Sequence, residues 1–345
     1  MTLKSEIFEQ PAILQNLASG QMGSVAEIAR ALLKYDIRYV FLAARGTSDH
    51  AGLYAKYLWG AFNKLPIALA TPSLFAIYEQ PPSLRSALVV GISQSGQSPD
   101  IVSVLAEGKR QGCPTLAITN NVASPLARTA DFVIDIQAGV EKAVAATKTY
   151  TAQLMAVAML SVAMLGDEQR KQSLLAVPDW IDQVLGLDQQ IHAIAQRYRF
   201  IEQCVVLGRG YNYSTAYEWS LKMKELSYIL AEPYSSADFL HGPIAIIDRG
   251  FPVMAVAPQG KVFETMIDLL QRLVNEHAAE LMAISDDPQV LALARSPIEL
   301  PAGIPEWLTP LVSIVPAQLF TYYLTAEKGY NTEAPRSIRK VTETT

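Results

Sequence analysis

Two hydroxyl-rich turns carry the clearest chemical signal in this chain of 345 residues: Arg45-Gly46-Thr47-Ser48-Asp49-His50 and Ser93-Gln94-Ser95-Gly96-Gln97-Ser98-Pro99-Asp100. Each follows an apolar run that reads as a buried strand, over 40–44 and 87–92, and each opens into a helical pattern. Small hydroxyl side chains and glycine at such a turn let backbone N–H groups converge on an anion, and the helix N-terminus adds positive potential. Three hydroxyls around Gly96 are neutral donors, which suit an enzyme that must release a phosphorylated product. Pro99 fits a first helical position and Asp100 a first turn. An ordinary N-cap explains Ser98 alone just as well. The whole loop, with Thr47-Ser48 beside it, points to phosphate, because ligands of open α/β sheets sit at strand carboxyl ends.

A second set of groups could act on the rest of such a ligand. Glu218, Lys222 and Glu225 fall at i, i+4 and i+7 on a helical stretch over 213–230 and share one face. From spacing alone, a solvated ion-paired helix is the plainer reading. The alternative is a carboxylate base beside a lysine, removing a proton from a carbon next to a carbonyl. His241, in Asp238-Phe239-Leu240-His241-Gly242-Pro243, has the most site-like surroundings of the four histidines. It could shuttle a proton near neutral pH, as ring opening of a sugar requires. His192 and His277 read as surface residues, and His50 as either a ligand contact or a cap neighbour.

Two further segments stay open on pattern alone. The run Glu141-Lys142-Ala143-Val144-Ala145-Ala146-Thr147-Lys148-Thr149 has small residues that permit close approach of backbone to a ligand. In it Thr147 could cap a helix, and Lys148 reads more readily as a surface or snorkelling lysine than as a catalytic one. The tail over 335–343 is basic. Such tails are usually solvated, but a lysine on a tail folded over a site could meet a carbonyl as a Schiff-base amine.

These groups need a scaffold, and the apolar pattern supplies one. The start of the chain, 7–33, reads as helical with Pro11 early in the run. Strand-like runs follow at 39–44, 67–70, 88–93, 115–119 and 132–136, with helical patterns between most of them, notably 51–62 and 101–111. Alternation of this kind implies βαβ units and a parallel sheet with helices on both faces. After helical stretches at 147–165 and 180–198 the strand signal recurs at 204–208, 252–257, 281–284 and 298–300. Residues 40–48 resemble 205–214, whereas the position of Ser93-Gln94-Ser95-Gly96 holds Ala257-Pro258-Gln259-Gly260 in the second half. A duplicated α/β domain whose copies took different jobs is the economical reading.

Composition removes several classes. Half the residues are hydrophobic and 18% are charged, so the chain carries a large core and no disorder signature. A net charge of −5 without a Lys/Arg run argues against nucleic-acid or membrane-surface binding. Cys113 and Cys204 lack metal-type spacing and read as buried free thiols. The N-terminus has no signal-peptide core, and the apolar stretch over 151–165 is too short to span a bilayer. A cytoplasmic protein is expected. Neither GxGxxG nor GxxxxGK[ST] occurs, so dinucleotide and P-loop nucleotide binding lose support.

Six motifs in order then resemble one family: Gly46-Thr47-Ser48, Ser93-Gln94-Ser95-Gly96, Val144-Ala145-Ala146-Thr147-Lys148, Leu221-Lys222-Met223-Lys224-Glu225, His241-Gly242-Pro243, and Pro335-Arg336 followed by Lys340. The chain resembles the sugar isomerase (SIS) superfamily, most closely the isomerase half of the glutamine:fructose-6-phosphate aminotransferases. The resemblance implies an α/β protein of two flavodoxin-like SIS domains, each a parallel sheet flanked by helices. It implies an N-terminal helical segment over 1–30, SIS domains over 31–170 and 195–330, and a tail over 331–345 that covers the active site. Carried over by position, Thr47, Ser48, Ser93, Gln94, Ser95 and Ser98 hold the sugar phosphate, and Val144 offers backbone contacts to the sugar. Glu225 is implied as the base that moves a proton between C1 and C2, with Lys222 beside it. His241, from the partner subunit of a homodimer with a shared site, assists ring opening, and Lys340 is the Schiff-base lysine.

The departures matter as much. No cysteine precedes Cys113, so no glutaminase half is expected and the chain is not expected to draw ammonia from glutamine by itself. Gln97 stands for an acidic residue, Ala146 for a hydroxyl residue and Arg339 for a small one. The combination looks more like the isomerising, SIS-type glucosamine-6-phosphate deaminases. That resemblance implies aldose-to-ketose isomerisation coupled to ammonia release, giving fructose 6-phosphate, with a small sugar phosphate as ligand and no metal or organic cofactor. Other expectations are a related phosphosugar isomerase, a fructosamine-type deglycase, or a sensor that binds without turnover.

Overall fold

The computed structural model describes residues 2–340, so the last five positions of the expected tail lie outside the described residues. The chain divides into two compact units. Of the described residues, one holds 12–142, 146–176 and 338–340; the other holds 2–11, 143–145 and 177–337.

In the first unit, β1 (Tyr39–Ala43), β2 (Ile67–Leu69), β3 (Ala87–Ser93), β4 (Thr115–Thr119) and β5 (Phe132–Asp135) form one sheet in the order β2-β1-β3-β4-β5. Every pairing is parallel, with Tyr39 opposite Ala87 and Val89 opposite Thr115. The central strand β3 is buried at all seven positions, which is why it reads as an unbroken apolar run rather than an alternating one. Ile101, Val104, Leu105 and Gly108 line one stripe of the helix Pro99–Arg110 and are all buried. The apolar members of that stripe pack with Val89, Ala117 and Leu126 into a core on that face of the sheet.

The second unit repeats the winding. Its strands β6 (Gln203–Gly208), β7 (Leu230–Ser235), β8 (Pro252–Val256), β9 (Glu280–Ser285) and β10 (Ser296–Glu299) lie in the order β10-β9-β8-β6-β7, again all parallel. Taken from its own first strand, each sheet runs 2-1-3-4-5, so the internal repeat extends to topology. The expected class, two α/β domains each with a parallel sheet flanked by helices, is the one observed. The order reverses between the first and third strands, the switch point beside which ligands of open α/β sheets bind.

Several local expectations change. β7 carries Glu232 and Pro233 and gave no strand signal; it is an edge strand, where proline is tolerated. The N-terminal helix is two, Leu3–Phe8 and Gln10–Leu32. The polar stretch over 180–198 is likewise two, Val177–Leu185 and Asp188–Arg197. His192 is not a plain surface residue: it is half-buried, stacks on Tyr323 with centroids 4.2 Å apart, and lies 2.8 Å from Glu327. His277 is half-buried as well.

The apolar helix runs over Lys148–Leu165, within a residue of the expected 147–165, and at 18 residues it is, against expectation, long enough to cross a bilayer by length and composition. It is instead a core element, buried over 83% of its length. It packs on the helix Thr47–Asn63, where Trp59 Nε1 donates to the Val157 carbonyl at 3.0 Å.

Candidate active site

The first unit's switch point is flanked by the two hydroxyl-rich turns. After β3, Ser93 Oγ accepts from the Gly96 N–H at 3.1 Å, and Ser95 Oγ accepts from the Gln97 N–H at 3.3 Å. Gly96 has φ +63°, and a Cβ there would fall 2.1 Å from Ser124 Oγ, so glycine is required twice over. Ser98 occupies the N-cap of the helix Pro99–Arg110, yet its side chain makes no capping bond. The plain capping explanation for this hydroxyl therefore fails.

Asp100, buried in the first turn, pairs with Arg45 across the switch point: Nε to Oδ2 is 2.8 Å. This pair straps the turn after β1 to the turn after β3. Ser48 is buried in the first turn of the helix Thr47–Asn63, and its Oγ accepts from Gln153 Nε2 at 3.1 Å. With that lone pair engaged, the hydroxyl proton is left to be donated. Beside it, burial lifts the Asp49 carboxyl above its ordinary value, and His50 and Arg45 pull it only part of the way back.

A cleft of about 570 Å³ opens in the same unit, a volume within the usual range for small-molecule sites. Gln94, Ser95, Gln97, Asn120, Glu141 and Lys340 are among its lining residues. Thus the tail lysine and part of the serine loop share one cavity, although they are more than two hundred positions apart. Thr47, Ser48, Ser93 and Ser98 do not line it.

Glu141, whose side chain is 0% exposed, anchors the cleft wall. Its carboxylate accepts from Thr147 N at 2.9 Å, Thr149 N at 3.1 Å and Thr149 Oγ1 at 2.8 Å, and it pairs with Lys340 Nζ. Two expectations are corrected here. Thr147 is the N-cap residue of the helix Lys148–Leu165 but makes no side-chain cap bond; Glu141 satisfies the helix start instead. Lys148 is not a surface lysine, being buried at the first position of that helix.

The second unit places Lys222 and Glu225 together. Lys222 Nζ lies 2.5 Å from Glu225 Oε2 and 3.5 Å from Glu218 Oε1. The side chains are 2% exposed at Lys222, 0% at Glu218 and 24% at Glu225, so this is not the solvated helix face that spacing alone favoured. The expected single helix over 213–230 is an α-helix, Tyr213–Lys222, followed by a π turn, Met223–Ser227, which carries Glu225. Such turns recur at functional sites. The π turn ends at Tyr228, in the left-handed region at φ 56°.

His241 is carried elsewhere in that unit, exposed at the end of the short helix Ser236–Leu240. Val144 is half-buried, and next to it the Ala143 N–H donates to the buried Glu6 carboxylate at 3.2 Å. Sequence reasoning missed Glu141, Gln153 and the Arg45–Asp100 strap as parts of these sites. All three act through partners distant in the chain, which no local motif announces.

The model of the SIS domain family matches residues 35–163 and 201–328, one match on each sheet. The chain belongs to the SIS domain family. Among relatives of this SIS chain, the glutamine–fructose-6-phosphate aminotransferase (isomerizing) of Pyrococcus horikoshii is 35% identical over 341 residues. That alignment spans 97% of this chain and 56% of the relative, so the SIS chain covers a little over half the relative's length. The solved C-terminal domain of glucosamine-fructose-6-phosphate aminotransferase from Francisella tularensis is 30% identical, with a TM-score of 0.87 over 96% of this chain and 98% of that one. Glucosamine-6-phosphate deaminase from Thermotoga maritima shares the fold, with a TM-score of 0.79 at 20% identity over the whole of both chains.

Proposed function

We propose that this SIS protein is a phosphosugar isomerase that releases ammonia from glucosamine 6-phosphate and gives fructose 6-phosphate. The observation that carries the reading is the shared cleft, in which Lys340 stands with Gln94 and Ser95. A primary amine beside neutral hydroxyl and amide donors suits a ligand with a carbonyl at one end and a phosphate at the other. The 35% identity to an isomerising aminotransferase over nearly the whole chain supports the same chemistry.

In this reading the hydroxyls of Thr47, Ser48, Ser93, Ser95 and Ser98, with Gln94, hold the phosphate, and the backbone at Val144 contacts the sugar. His241 assists opening of the ring. The Glu225 carboxylate takes the proton from C2 of the open-chain amino aldose and returns it to C1, leaving an imine at C2. Lys222, paired to Glu225, holds that carboxylate in place. The Lys340 ammonium protonates that imine, the amine so freed adds at C2, and ammonia leaves as the lysine iminium forms. Water then hydrolyses the lysine imine, which frees the ketose and restores the amine. Neither a metal nor an organic cofactor is needed for these steps.

His241 is exposed in the single chain, which supports a homodimer in which a second copy supplies it. Two buried free thiols are in keeping with a cytoplasmic enzyme. The test is ammonia release across a panel of phosphorylated amino sugars. Release from glucosamine 6-phosphate with equimolar fructose 6-phosphate supports the proposal. Interconversion of phosphorylated aldoses and ketoses without ammonia would assign a plain isomerase, and tight binding without turnover a sensor.

A further inference from the structure

We infer that Glu141 is a positioning residue that seats the Lys340 ammonium at the Ser95 cleft and thereby holds the tail segment there. The inference rests on the proposed function for the use made of Lys340, but the seating itself rests on geometry alone. A carboxylate offers about four acceptor positions. The start of the helix Lys148–Leu165 takes three of them, through Thr147 N, Thr149 N and Thr149 Oγ1. The fourth contact comes from Lys340, 199 residues away in sequence.

Both partners gain from this arrangement. Glu141 is wholly enclosed, so its charge needs a counter-ion, and Lys340 brings one. Lys340, at 23% exposure, obtains a fixed partner that is itself rigid, because three bonds from a helix N-terminus lock the carboxylate. The neighbouring tail residues Ser337, Ile338 and Arg339 are exposed, so they do not hold this segment down. The segment is anchored first at Arg336, whose N–H donates to Tyr228 Oη at 2.9 Å and whose guanidinium lies 3.9 Å from that ring; beyond Arg336 the contact that holds the described chain is the ion pair. Asp135 is the other carboxylate that lines the cleft, and Lys142, next to Glu141 in sequence, is exposed. A lysine nitrogen placed in this way meets the cleft from one direction, which is what imine formation at a single carbon requires.

The test is a double-mutant cycle read by limited proteolysis of the full chain. Trypsin cleavage after Arg339 is timed in the native protein, in Glu141→Gln, in Lys340→Met and in the double variant, with melting curves to confirm folding. Each single variant is expected to speed cleavage about tenfold, and the double variant no more than either single. In parallel, Glu141→Gln should lower kcat for ammonia release about tenfold while KM stays within about twofold, and Glu141→Asp should recover part of the loss. Unchanged cleavage in Lys340→Met, or single effects that add in the double variant, would overturn the proposal. Should Glu141→Gln fail to fold, Lys340→Met and Glu141→Asp still decide, since both keep the buried carboxylate. A protein that releases no ammonia but shows the coupled cleavage pattern would remove the proposed function and leave the seating intact.

Discussion

Lys222 Nζ sits 2.5 Å from Glu225 Oε2 and 3.5 Å from Glu218 Oε1, one ammonium shared between a partly exposed carboxylate and a fully buried one. The two carboxylates therefore have different work. Glu218 is enclosed and serves as counter-ion; Glu225, on the π turn, keeps an accessible edge.

Replacing Glu225 by Gln should keep the fold and remove the base. A positioned general base contributes on the order of 10²–10⁴-fold, so kcat should fall by about that factor with KM little changed. Steady-state ammonia release with a melting curve checks it. Loss of binding instead of turnover would count against the assignment.

Lys222→Ala removes the cation from a buried carboxylate, which is a stability problem before it is a catalytic one. Breaking such a pair costs about 3–5 kcal/mol, because the remaining charge stays enclosed. Urea unfolding should show a loss of that order, whereas Lys224→Ala, on an exposed lysine, should be nearly neutral.

Gly96→Ala tests the serine loop. The left-handed φ of +63° and the Ser124 side chain both resist a Cβ, and strain of this kind costs about 1–3 kcal/mol. The Ser93 and Ser95 bonds to the Gly96 and Gln97 N–H groups should be disturbed as the loop shifts. The expected result is a lower melting temperature together with a raised KM for the sugar phosphate.

Asp49 gives a pH signature. Burial raises its carboxyl pKa above the ordinary 3.8, so the native state holds this proton more tightly than the unfolded chain. Its contribution is most favourable below that ordinary value and is lost as pH rises through the raised one. Asp49→Asn should therefore gain stability relative to the parent on going from acid towards neutral pH, read by urea unfolding at each pH. A difference that shrinks over that range would contradict the assignment.

Thiol chemistry offers an independent check on the two cores. Burial pushes the Cys204 thiol up to about 12 and raises Cys113 as well, whose Sγ also donates to the Leu84 carbonyl. Iodoacetamide at pH ~8 should leave both unmodified in the native protein and alkylate both in urea. Fast labelling of Cys204 without denaturant would mean that the second sheet opens readily.

Most of the sheet framework was readable because, among the described residues, nine of the ten strands are apolar enough to stand out from their surroundings. β7 was not: Glu232 and Pro233 dilute its signal, and only the edge of a sheet accepts them. Helical spacing placed Glu218, Lys222 and Glu225 on one face, but it could not show that the face is enclosed or that a π turn carries Glu225. The serine loop was legible as a motif because its hydroxyls, its glycine and the helix start they precede are contiguous in sequence. Glu141 was not, since it caps a helix from six residues before Thr147 and holds a lysine from the far end of the chain. Contacts of that kind leave no period or spacing to read.

The most direct measurement is the mass of the Lys340 peptide after borohydride reduction of the protein in the presence of fructose 6-phosphate. A hexitol phosphate adduct on Lys340, much reduced in Ser95→Ala at the same sugar concentration, is the predicted result. An unmodified Lys340 in protein that is turning over glucosamine 6-phosphate would contradict it.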